Sequence, residues 1–367
     1  MLPLITHVIP TLAPYGAERM ALELAARSPA HGFRTRVLVL FQGGALQEEC
    51  RRRDIRWSHV FPVAAGPRVV SRPALVHRLH QKLYAEPERM PAIVHTHLFG
   101  SDFWTSIARA AHWSSVRPKA YVSTAHNIDH DDSTMRRLAR RWATRRMDRV
   151  VAISNDVARY THEDLGVPEK RILTIPNGIN FKNVPTRGER AFAETPRLLM
   201  VGRLVPQKGH ATVLQALKHV ALPWKLSIVG EGPLRRELKE LSEKCGLASR
   251  VRFLGERKDV PQLLKESDLF LFPSQWEGMG LALIEALAAG VPSLASDLPA
   301  IREFVPKKQL LDSDDIHAWR AAITDALTTP GDRVASASKL AQKVRTRYDV
   351  ERMVAAYAEM YRALLNA

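Results

Sequence analysis

Short apolar runs alternate with amphipathic stretches along almost the whole chain. In the first half the runs are LITHVIP, RTRVLVLF, IVHTH, AYVSTAH, RVVAIS and RILTIPNG, and in the second half they are RLLMVGR, KLSIVGEG, VRFLGE, DLFLFPS and VPSLAS. Many of the stretches between them, such as NDVARYTHEDLG, are about 10–15 residues long and have helical periodicity. This alternation is typical of βαβ units and predicts parallel sheets covered by helices.

Residues 177–196 interrupt the alternation. They lack periodicity and are rich in Pro, Gly and charged residues, which is typical of a linker. We therefore predict an α/β fold with two Rossmann-like, doubly wound domains at residues 1–180 and 197–345, joined by a linker at 181–196. The segment 346–367 is expected to be a closing helix that packs on the first domain. In such folds ligands bind at the carboxyl ends of the strands, here in the cleft between the domains.

Length and composition agree with this prediction. The chain has 367 residues, more than one ordinary core accommodates. Its two cysteines, Cys50 and Cys245, have no partner at metal-ligand or redox spacing, which favours a reducing compartment. The apolar N-terminal segment lacks the basic start of a signal peptide, and no apolar run approaches the roughly 18–20 residues of a transmembrane helix. We expect a cytoplasmic protein without a membrane span.

The formal net charge is +16, from 54 Lys and Arg against 38 Asp and Glu. This charge favours an anionic partner, although an arginine-rich solvated surface would produce the same number. Seven arginines fall between Arg136 and Arg149, with Leu138, Trp142 and Met147 among them. A helix formed by this segment would either rest on an anionic membrane surface or present a solvated cationic face. No motif for nucleic-acid recognition accompanies the charge, so we expect no nucleic-acid partner.

The segment MVGRLVPQKGH places two cations directly after an apolar strand. Gly202 and Arg203 end the strand, and Lys208 follows five residues later, before a predicted helix. An arginine and a lysine at such a position can bind a diphosphate. The alternative interpretation is that they are two solvated surface cations. The segment does not have the pattern of a Walker loop. In SIVGEGP, Gly230 and Gly232 indicate a tight turn between a strand and a helix.

The segment QWEGMGLALIEALAAG combines two acids with a turn and a helix. Glu277 precedes Gly278 and Gly280, and Glu285 falls inside an otherwise apolar helix. The helix N-terminus at Gly280 would seat a phosphate. Because an unpaired carboxylate among apolar side chains is costly, Glu285 should accept hydrogen bonds, and ribose hydroxyls are suitable donors. By spacing alone, the pair of glutamates could also be a coincidence of composition.

Four motifs follow one another in the second half of the chain: GR-x4-K, VGEGP, VRFLG and PS-x2-EG-x-G-x4-E. They resemble the motifs of the retaining GT-B glycosyltransferases of family 4, and the resemblance extends over essentially the whole chain. It implies the GT-B fold and transfer of a sugar from a UDP- or GDP-sugar to a hydroxyl of a glycan or lipid-linked acceptor, in bacterial cell-surface polysaccharide or glycolipid synthesis. It also implies no cofactor and no metal, because cations and a helix N-terminus take the place of the metal.

The resemblance also assigns roles to residues of the second half. Arg203 and Lys208 would hold the diphosphate, Glu285 would bind the ribose hydroxyls, and Glu277 would lie beside the donor sugar. The remaining donor-binding positions contribute backbone or apolar contacts, with Leu254 beside the base: Gly202, Leu254, Gly278, Met279, Gly280 and Leu281. Two mechanisms stay open for Glu277. In the first, Glu277 is the nucleophile of a double displacement. In the second, which the family favours, the acceptor attacks from the front face and the leaving phosphate helps to deprotonate it.

The first half matches the family less closely. In YGAER, Gly16 belongs to the loop that the family places under the sugar and phosphates, but Tyr15 replaces the first glycine and would be unfavourable at positive φ. STAHN ends a strand at His126, which the resemblance makes an active-site residue, whereas a strand-end histidine alone is more often structural. The HTH motif of the preceding strand lacks a third metal ligand. Asn180 replaces the family's acid in a turn that we interpret as structural.

Two alternatives differ from an active enzyme. The departures at Tyr15 and Asn180 would fit a catalytically impaired GT-B binding subunit, and the net charge would fit a basic nucleic-acid-binding protein. The retained Arg203, Lys208, Glu277 and Glu285 argue against the binding subunit, and the missing recognition motifs argue against the nucleic-acid-binding protein. The candidate catalytic residues are His126, Arg203, Lys208 and Glu277.

Overall fold

The computed structural model describes residues 2–41, 43–60, 72–85, 90–112, 116–128 and 133–367. The chain divides into two compact units. Unit 1 consists of Met1–Gly178 together with Val350–Ala367, and unit 2 consists of Ile179–Asp349.

Unit 1 is built on a parallel sheet. Its described strands are β1 (Leu4–Ile9), β2 (Arg34–Val39), β3 (Trp57–His59), β4 (Ile93–His97), β5 (Ala120–Ala125), β6 (Arg149–Ala152) and β7 (Ile172–Thr174). They are arranged in the order β3-β2-β1-β4-β5-β6-β7. The described helices are α1 (Gly16–Arg27), α2 (Gln47–Arg52), α3 (Arg72–Tyr84), α4 (Leu98–Ala110), α5 (Thr134–Thr144) and α6 (Asn155–Glu163). The central strands β1 and β4 are buried at every position because helices cover both faces of such a sheet.

Unit 2 has a second parallel sheet. Its strands are β8 (Arg197–Val201), β9 (Lys225–Val229), β10 (Val251–Gly255), β11 (Leu269–Phe272), β12 (Ser293–Ser296) and β13 (Leu310–Leu311), in the order β10-β9-β8-β11-β12-β13. Its helices are α7 (His210–Leu217), α8 (Arg235–Lys244), α9 (Val260–Glu266), α10 (Leu281–Ala288), α11 (Pro299–Arg302), α12 (Ile316–Thr328) and α13 (Pro330–Arg347). Two α/β units with parallel sheets confirm the predicted fold class.

The closing helix, α14 (Val350–Asn366), belongs to unit 1. Val354, Tyr357 and Tyr361 repeat at helical spacing and are fully buried. They pack in one cluster with Ile5 of β1 and Val122 of β5. The last helix of the chain is therefore part of the core that supports the first sheet.

The segment 181–196 belongs to unit 2. The buried guanidinium of Arg187 donates to the carbonyl of Ser267 at 2.9 Å and to the carboxylate of Asp268 at 3.3 Å. Arg190 donates to the same carboxylate at 2.6 Å. These bonds hold the segment against the start of β11.

Helix α5 is shorter than the arginine pattern predicts. It ends at Thr144, whereas the helical spacing of arginines continues to Arg149. The chain leaves the helix because Met147 is buried in the core and Asp148 pairs with the edge of β5. The amide of Asp148 donates to the carbonyl of Tyr121 at 2.8 Å, and its carboxylate accepts from the Tyr121 amide at 2.8 Å. Pairing with the sheet thus outweighs continuation of the helix.

Candidate active site

The strands of unit 2 bring several sequence motifs to one edge of its sheet. Gly202 and Arg203 directly follow β8, and the loop with Glu277 and Gly280 follows β11. Strands β8 and β11 are neighbours and run parallel, so their carboxyl ends open at the same edge. Lys208 lies between β8 and α7, at this same edge.

Lys208 and Glu277 form an ion pair at this edge. The ammonium donates to the carboxylate oxygen Oε1 of Glu277, and the side chains are only 17% and 8% exposed. The Lys208 ammonium also lies 5.4 Å from the ring centroid of Phe272, within range of a cation–π contact. Its stem passes Gly202, where an added Cβ would lie 3.4 Å from the lysine methylenes. The pair is therefore largely excluded from bulk solvent. Its two charges attract each other more strongly in this position than they would on an open surface.

The two loops that carry this pair are bonded to each other. The Gln275 amide donates to the Gln207 carbonyl at 2.8 Å, and the Gln207 side chain donates to the Trp276 carbonyl at 2.9 Å. Gly209 has a φ of +59°, and a Cβ there would lie 1.9 Å from the carbonyl oxygen of Pro273. Glycine is required at this position because both the conformation and the close approach exclude a side chain.

Helix α10 begins at a second glycine with positive φ. Gly280 caps the helix with φ +77°, and a Cβ there would lie 2.9 Å from Ile301 and 3.2 Å from the ring of Phe272. The amides of Leu283 and Ile284 both donate to the Gly280 carbonyl. The first turn carries the partial positive charge of a helix N-terminus and directly follows the loop of Glu277.

The other predicted donor-binding residues occupy separate positions at this edge. Arg203 is exposed, and Leu254 is half-buried in β10. Glu285 is half-buried in the second turn of α10, one turn after Leu281. Gly278 and Met279 are buried in the loop before the helix. The structure thus pairs Lys208 with Glu277 and distributes the other positions along the same edge.

The glycines of SIVGEGP have a structural explanation. Gly230 has a φ of +134°, and a Cβ there would lie 1.9 Å from the carbonyl oxygen of Gly202. A Cβ on Gly232 would lie 2.4 Å from the carbonyl oxygen of Leu204. These contacts pack the β9 turn directly against the loop that follows β8, as the tight-turn interpretation predicts.

The strand ends of unit 1 hold a group of histidines. His7 of β1 and His97 of β4 are fully buried, and His126 follows β5 and is half-buried. His7 Nδ1 lies 3.2 Å from His97 Nε2, and His97 Nδ1 lies 3.3 Å from His126 Nε2. The sequence interpretation did not include His7. A histidine inside the apolar strand LITHVI was the available signal, because a buried polar side chain needs a partner.

His95 connects this group to the closing helix. Its Nδ1 lies 2.6 Å from the Tyr361 hydroxyl, and its Nε2 lies 2.8 Å from the Thr124 hydroxyl. His7 supplies the third imidazole that the HTH motif lacks, and nitrogen atoms of His7, His95 and His97 lie within 4.8 Å of one another. Because both nitrogens of His95 already have hydrogen-bond partners, a metal ion would have to displace Tyr361 or Thr124.

The loop of YGAER has no strained residue at the replaced glycine. Tyr15 has φ −95° and ψ 167°, an extended conformation that any residue adopts, and it precedes Gly16 at the start of α1. The expected penalty of a tyrosine at positive φ is therefore wrong. Asn180 is also structural, since its side chain accepts a hydrogen bond from the Lys182 amide at 3.2 Å.

The exposed side of α5 is amphipathic. Met135, Leu138 and Trp142 are 76%, 53% and 37% exposed and repeat along one side of the helix. Arg137 and Arg141 are exposed between them. Two residues of the predicted cationic segment do not reach the surface. Arg140 is buried, with its guanidinium 4.7 Å from the ring centroid of Phe99, and Met147 lies in the core.

A groove of about 1240 Å³ is lined by residues of α3, α4 and α5. Val76, Phe99 and Phe103 contribute to its apolar lining, and Arg72 and Arg136 lie in the first turns of α3 and α5. Within the part of the chain that the structure describes, no helix is long and apolar enough to cross a bilayer.

Comparisons with known proteins agree with this architecture. The sequence pattern of "Glycosyltransferase Family 4" matches residues 14–183, and that of "Glycosyl transferases group 1" matches residues 186–347. The lipopolysaccharide core biosynthesis mannosyltransferase LpsB of Rhizobium meliloti is 32% identical over 62% of this chain and 68% of its own. The UDP-Gal:alpha-D-GlcNAc-diphosphoundecaprenol alpha-1,3-galactosyltransferase of Escherichia coli is 31% identical over 56% of this chain and 58% of its own.

A solved structure shows the same fold over the whole length. HepE of Anabaena, in complex with UDP and glucose, aligns with a TM-score of 0.83 over 98% of this chain and 100% of HepE, at 21% identity. This similarity confirms the predicted GT-B fold, and the sequence matches confirm the resemblance to family 4. The chain belongs to the group 1 and family 4 glycosyltransferases, enzymes that transfer sugars.

Proposed function

We propose that this enzyme transfers a sugar, with retention at the anomeric carbon, from a nucleoside diphosphate sugar to a hydroxyl of a glycan or lipid-linked acceptor. The observation that carries the proposal is the largely buried ion pair of Lys208 and Glu277 beside the N-terminus of α10. The printed names of relatives add support, since HepE is in complex with UDP and glucose and the E. coli relative uses a UDP-sugar.

The proposed diphosphate site consists of Lys208, Arg203 and the first turn of α10. An ammonium has three donors, so Lys208 can bind a phosphate oxygen and keep its bond to Glu277. Arg203 would add a planar fork, and the helix N-terminus would add backbone amides. These groups would stabilise the charge that develops on the leaving nucleotide, which is why we expect transfer without a metal. Full activity in the presence of EDTA would support this expectation.

The sugar and ribose would lie beside the two glutamates. Glu277 is only 8% exposed and is held by Lys208, so it would accept hydrogen bonds from sugar hydroxyls at a fixed position. Glu285, one turn into α10, would accept from the ribose hydroxyls, and Leu254 would contact the base. We favour front-face attack over a covalent intermediate on Glu277, following the resemblance. The anomeric coupling constant in the proton NMR spectrum of the product would test retention.

The acceptor is proposed to be lipid-linked, and the enzyme to bind peripherally to an anionic membrane. The exposed stripe of Met135, Leu138 and Trp142 would enter the headgroup region, while Arg137 and Arg141 would contact anionic lipids. The groove beside α5 would take the apolar chain of the acceptor, with Arg72 and Arg136 near its phosphate. The E. coli relative is named for a diphosphoundecaprenol-linked substrate.

A thermal-shift screen with UDP, GDP, ADP and their sugars tests the proposed donor site. A ligand stabilises only the state that binds it, so the correct nucleotide at 100 times its Kd should add about 2.7 kcal/mol. The variant Glu285→Ala should lose most of this shift, because the ribose hydroxyls lose their acceptor. The absence of a shift with every nucleotide would contradict the proposal.

A further inference from the structure

A second cavity of unit 1 is lined mainly by arginine. It has a volume of about 370 Å³, and its lining includes Arg109, Arg117, Arg146 and Arg171. Among the lining residues that the structure describes, Asp148 is the only carboxylate. Four arginines less one aspartate give the cavity a formal charge of +3.

The cavity lies at the amino edge of the first sheet. Tyr121 is near the start of β5, Asp148 directly precedes β6, and Arg171 directly precedes β7. His126 follows the opposite end of β5, about 16 Å from Tyr121 at 3.3 Å per residue. Ligands of such sheets bind at the carboxyl edge, so the candidate active site does not account for this group of charges.

Arg109 is fixed in the wall of the cavity. Its guanidinium lies 4.1 Å from the ring centroid of the buried Tyr121, and its Nη1 donates to the Arg146 carbonyl at 2.7 Å. Both of its terminal nitrogens lie 3.4 Å from the carboxylate of Asp148, which also accepts from the Tyr121 amide at 2.8 Å. A guanidinium that is already ordered loses less conformational freedom when it binds an anion.

Arg146 is held by one face of its guanidinium. The guanidinium carbon lies 4.5 Å from the ring centroid of Trp142. Stacking on a ring uses this face and leaves the five N–H donors, which lie in the plane of the group, available. Within the described part of the chain, these donors have no acceptor, and the exposed Arg117 has no carboxylate partner. Two arginines of the cavity are therefore available to a ligand.

The chemistry of the cavity suits a phosphate monoester. Guanidinium groups bind phosphate oxygens through pairs of parallel hydrogen bonds. A phosphate monoester has a charge of about −1.5 to −2 at pH 7 and three terminal oxygens, so it can neutralise most of the local charge and accept from several arginines at once. A carboxylate offers one charge and two oxygens. The volume also falls within the range of small-ligand sites, about 300–1000 Å³.

We propose that this cavity is an anion site for a phosphate monoester, with Arg109, Arg117, Arg146 and Arg171 as its donors. The same chemistry has two sources, a soluble phosphate ester and the headgroup of a phospholipid. The lipid is a source because Trp142, on which Arg146 stacks, belongs to the exposed stripe of α5. The site is independent of the proposed function, since it lies in unit 1 and requires no nucleotide.

The double variant Arg117→Gln with Arg146→Gln tests the site. It removes two guanidinium groups and keeps the backbone carbonyl that fixes Arg109, and both side chains are exposed, so we expect it to fold. The matched control is Arg52→Gln with Arg56→Gln. These two exposed arginines lie next to β3, at the other end of the same sheet, and the control removes the same charge.

Calorimetric titration of glycerol 3-phosphate into the full-length protein tests the soluble source. One equivalent should bind to the wild type and to the control. The affinity should fall by at least about tenfold in the double variant, because charge-assisted hydrogen bonds are lost. Lys208→Met should bind as the wild type does, because it alters only the proposed diphosphate site of unit 2.

Sedimentation with vesicles tests the lipid source. Vesicles with phosphatidic acid, a monoester, are compared with vesicles of phosphatidylglycerol, a diester, at matched surface potential, so that attraction by diffuse charge is equal. The wild type and the control should bind the phosphatidic acid vesicles at least about threefold more tightly, and the double variant should lose this preference. Thermal unfolding of each protein shows that it is folded.

The two experiments also identify the source. An effect of the double variant, absent from the control, on glycerol 3-phosphate binding supports a soluble ester, and the same effect on vesicles alone supports a lipid headgroup. The proposal is overturned if neither ligand distinguishes the folded double variant from the control, because the arginines are then a solvated surface. It is also overturned if binding of glycerol 3-phosphate is lost in Lys208→Met and kept in the double variant.

Discussion

The ammonium of Lys208 donates a hydrogen bond to the carboxylate of Glu277, although the two residues come from different loops of unit 2. The pair keeps a cation and an anion together in a largely buried position, with side-chain exposures of 17% and 8%. Lys208 would turn its remaining donors to a diphosphate while Glu277 stays fixed beside the sugar.

Replacing Glu277 with glutamine should separate nucleotide binding from transfer. Glu277→Gln keeps the shape of the side chain but removes its charge, so Lys208 is left with less compensation for its own charge. We expect the affinity for the nucleoside diphosphate to be unchanged or up to about tenfold higher, because the phosphates then supply the missing anion. Turnover should fall by about 100-fold or more, as when one preorganised group of a transition-state site is lost. Equal losses of affinity and turnover, measured by calorimetry and product formation, would contradict this assignment.

Gly209→Ala should destabilise unit 2 strongly. The new methyl group would lie 1.9 Å from the Pro273 carbonyl oxygen, at a φ of +59°. Gly246→Ala is the matched control, since Gly246 has a φ of +72° but open space around an added Cβ. We expect the control to lose about 1 kcal/mol from the conformation alone and Gly209→Ala to lose at least about 3 kcal/mol, because backbone must move. Similar unfolding free energies for the two variants would refute the close-approach argument.

Unit 1 should become less stable as the pH falls below 6.5. The folded state holds four histidines neutral, with pKa values lowered by burial, whereas the unfolded state protonates them: His7, His95, His97 and His126. The unfolded state thus binds more protons, so stability is complete above pH 6.5 and is lost toward lower pH. Asp102 opposes this trend, because burial raises its pKa to about 6 and the folded state takes up its proton first.

The net slope between pH 6 and pH 5 should be about 4 kcal/mol per pH unit, from four histidines less one aspartate at about 1.4 kcal/mol each. Tyr357 and Tyr361, which pack on the same face, do not titrate there because burial raises their pKa. Chemical unfolding at several pH values measures the slope. His7→Phe should reduce it by about 1.4 kcal/mol per pH unit, and a pH-independent stability would contradict the neutral, buried state of these histidines.

Binding to anionic vesicles should depend on the exposed arginines of α5. A basic residue near an anionic surface contributes about 1 kcal/mol, so Arg137→Gln with Arg141→Gln should weaken binding by about 30-fold. The control is Lys239→Gln with Lys244→Gln, two exposed cations of α8 in unit 2. Sedimentation with vesicles of phosphatidylglycerol and phosphatidylcholine measures the difference. Binding that does not respond to salt, or an equal loss in the control, would contradict membrane contact through α5.

The fold class is predictable from the sequence because the pattern that marks each strand or helix lies within a short segment of the chain. Alternating apolar and amphipathic segments predict strands and helices, and the eleven apolar segments form β1, β2 and β4 to β12. The short strands β3 and β13 lie outside those segments and are not predicted. The end of α5 is predicted wrongly because the arginine spacing continues past Thr144, while the decisive contact, Asp148 with Tyr121, joins residues that are distant in sequence.

The candidate site is predictable as a set of motifs but not as a set of contacts. Lys208 and Glu277 appear in separate motifs, and their pairing requires that β8 and β11 be neighbours, which local patterns do not reveal. His7 was missed for the same reason. Its partner, His97, comes from β4, and only the register of β1 with β4 brings the two rings together.

Calorimetric titration of the best nucleoside diphosphate into the wild type and into Lys208→Met tests the central claim most directly. The variant keeps an unbranched apolar stem and removes the charge, and Lys218→Met, at an exposed lysine after α7, serves as its control. We expect the wild type and Lys218→Met to bind equally, and Lys208→Met to bind at least about tenfold more weakly through loss of a charge-assisted hydrogen bond. Undiminished affinity in Lys208→Met, or no binding of UDP, GDP or ADP to the wild type, would contradict a nucleotide-sugar site at this edge of unit 2.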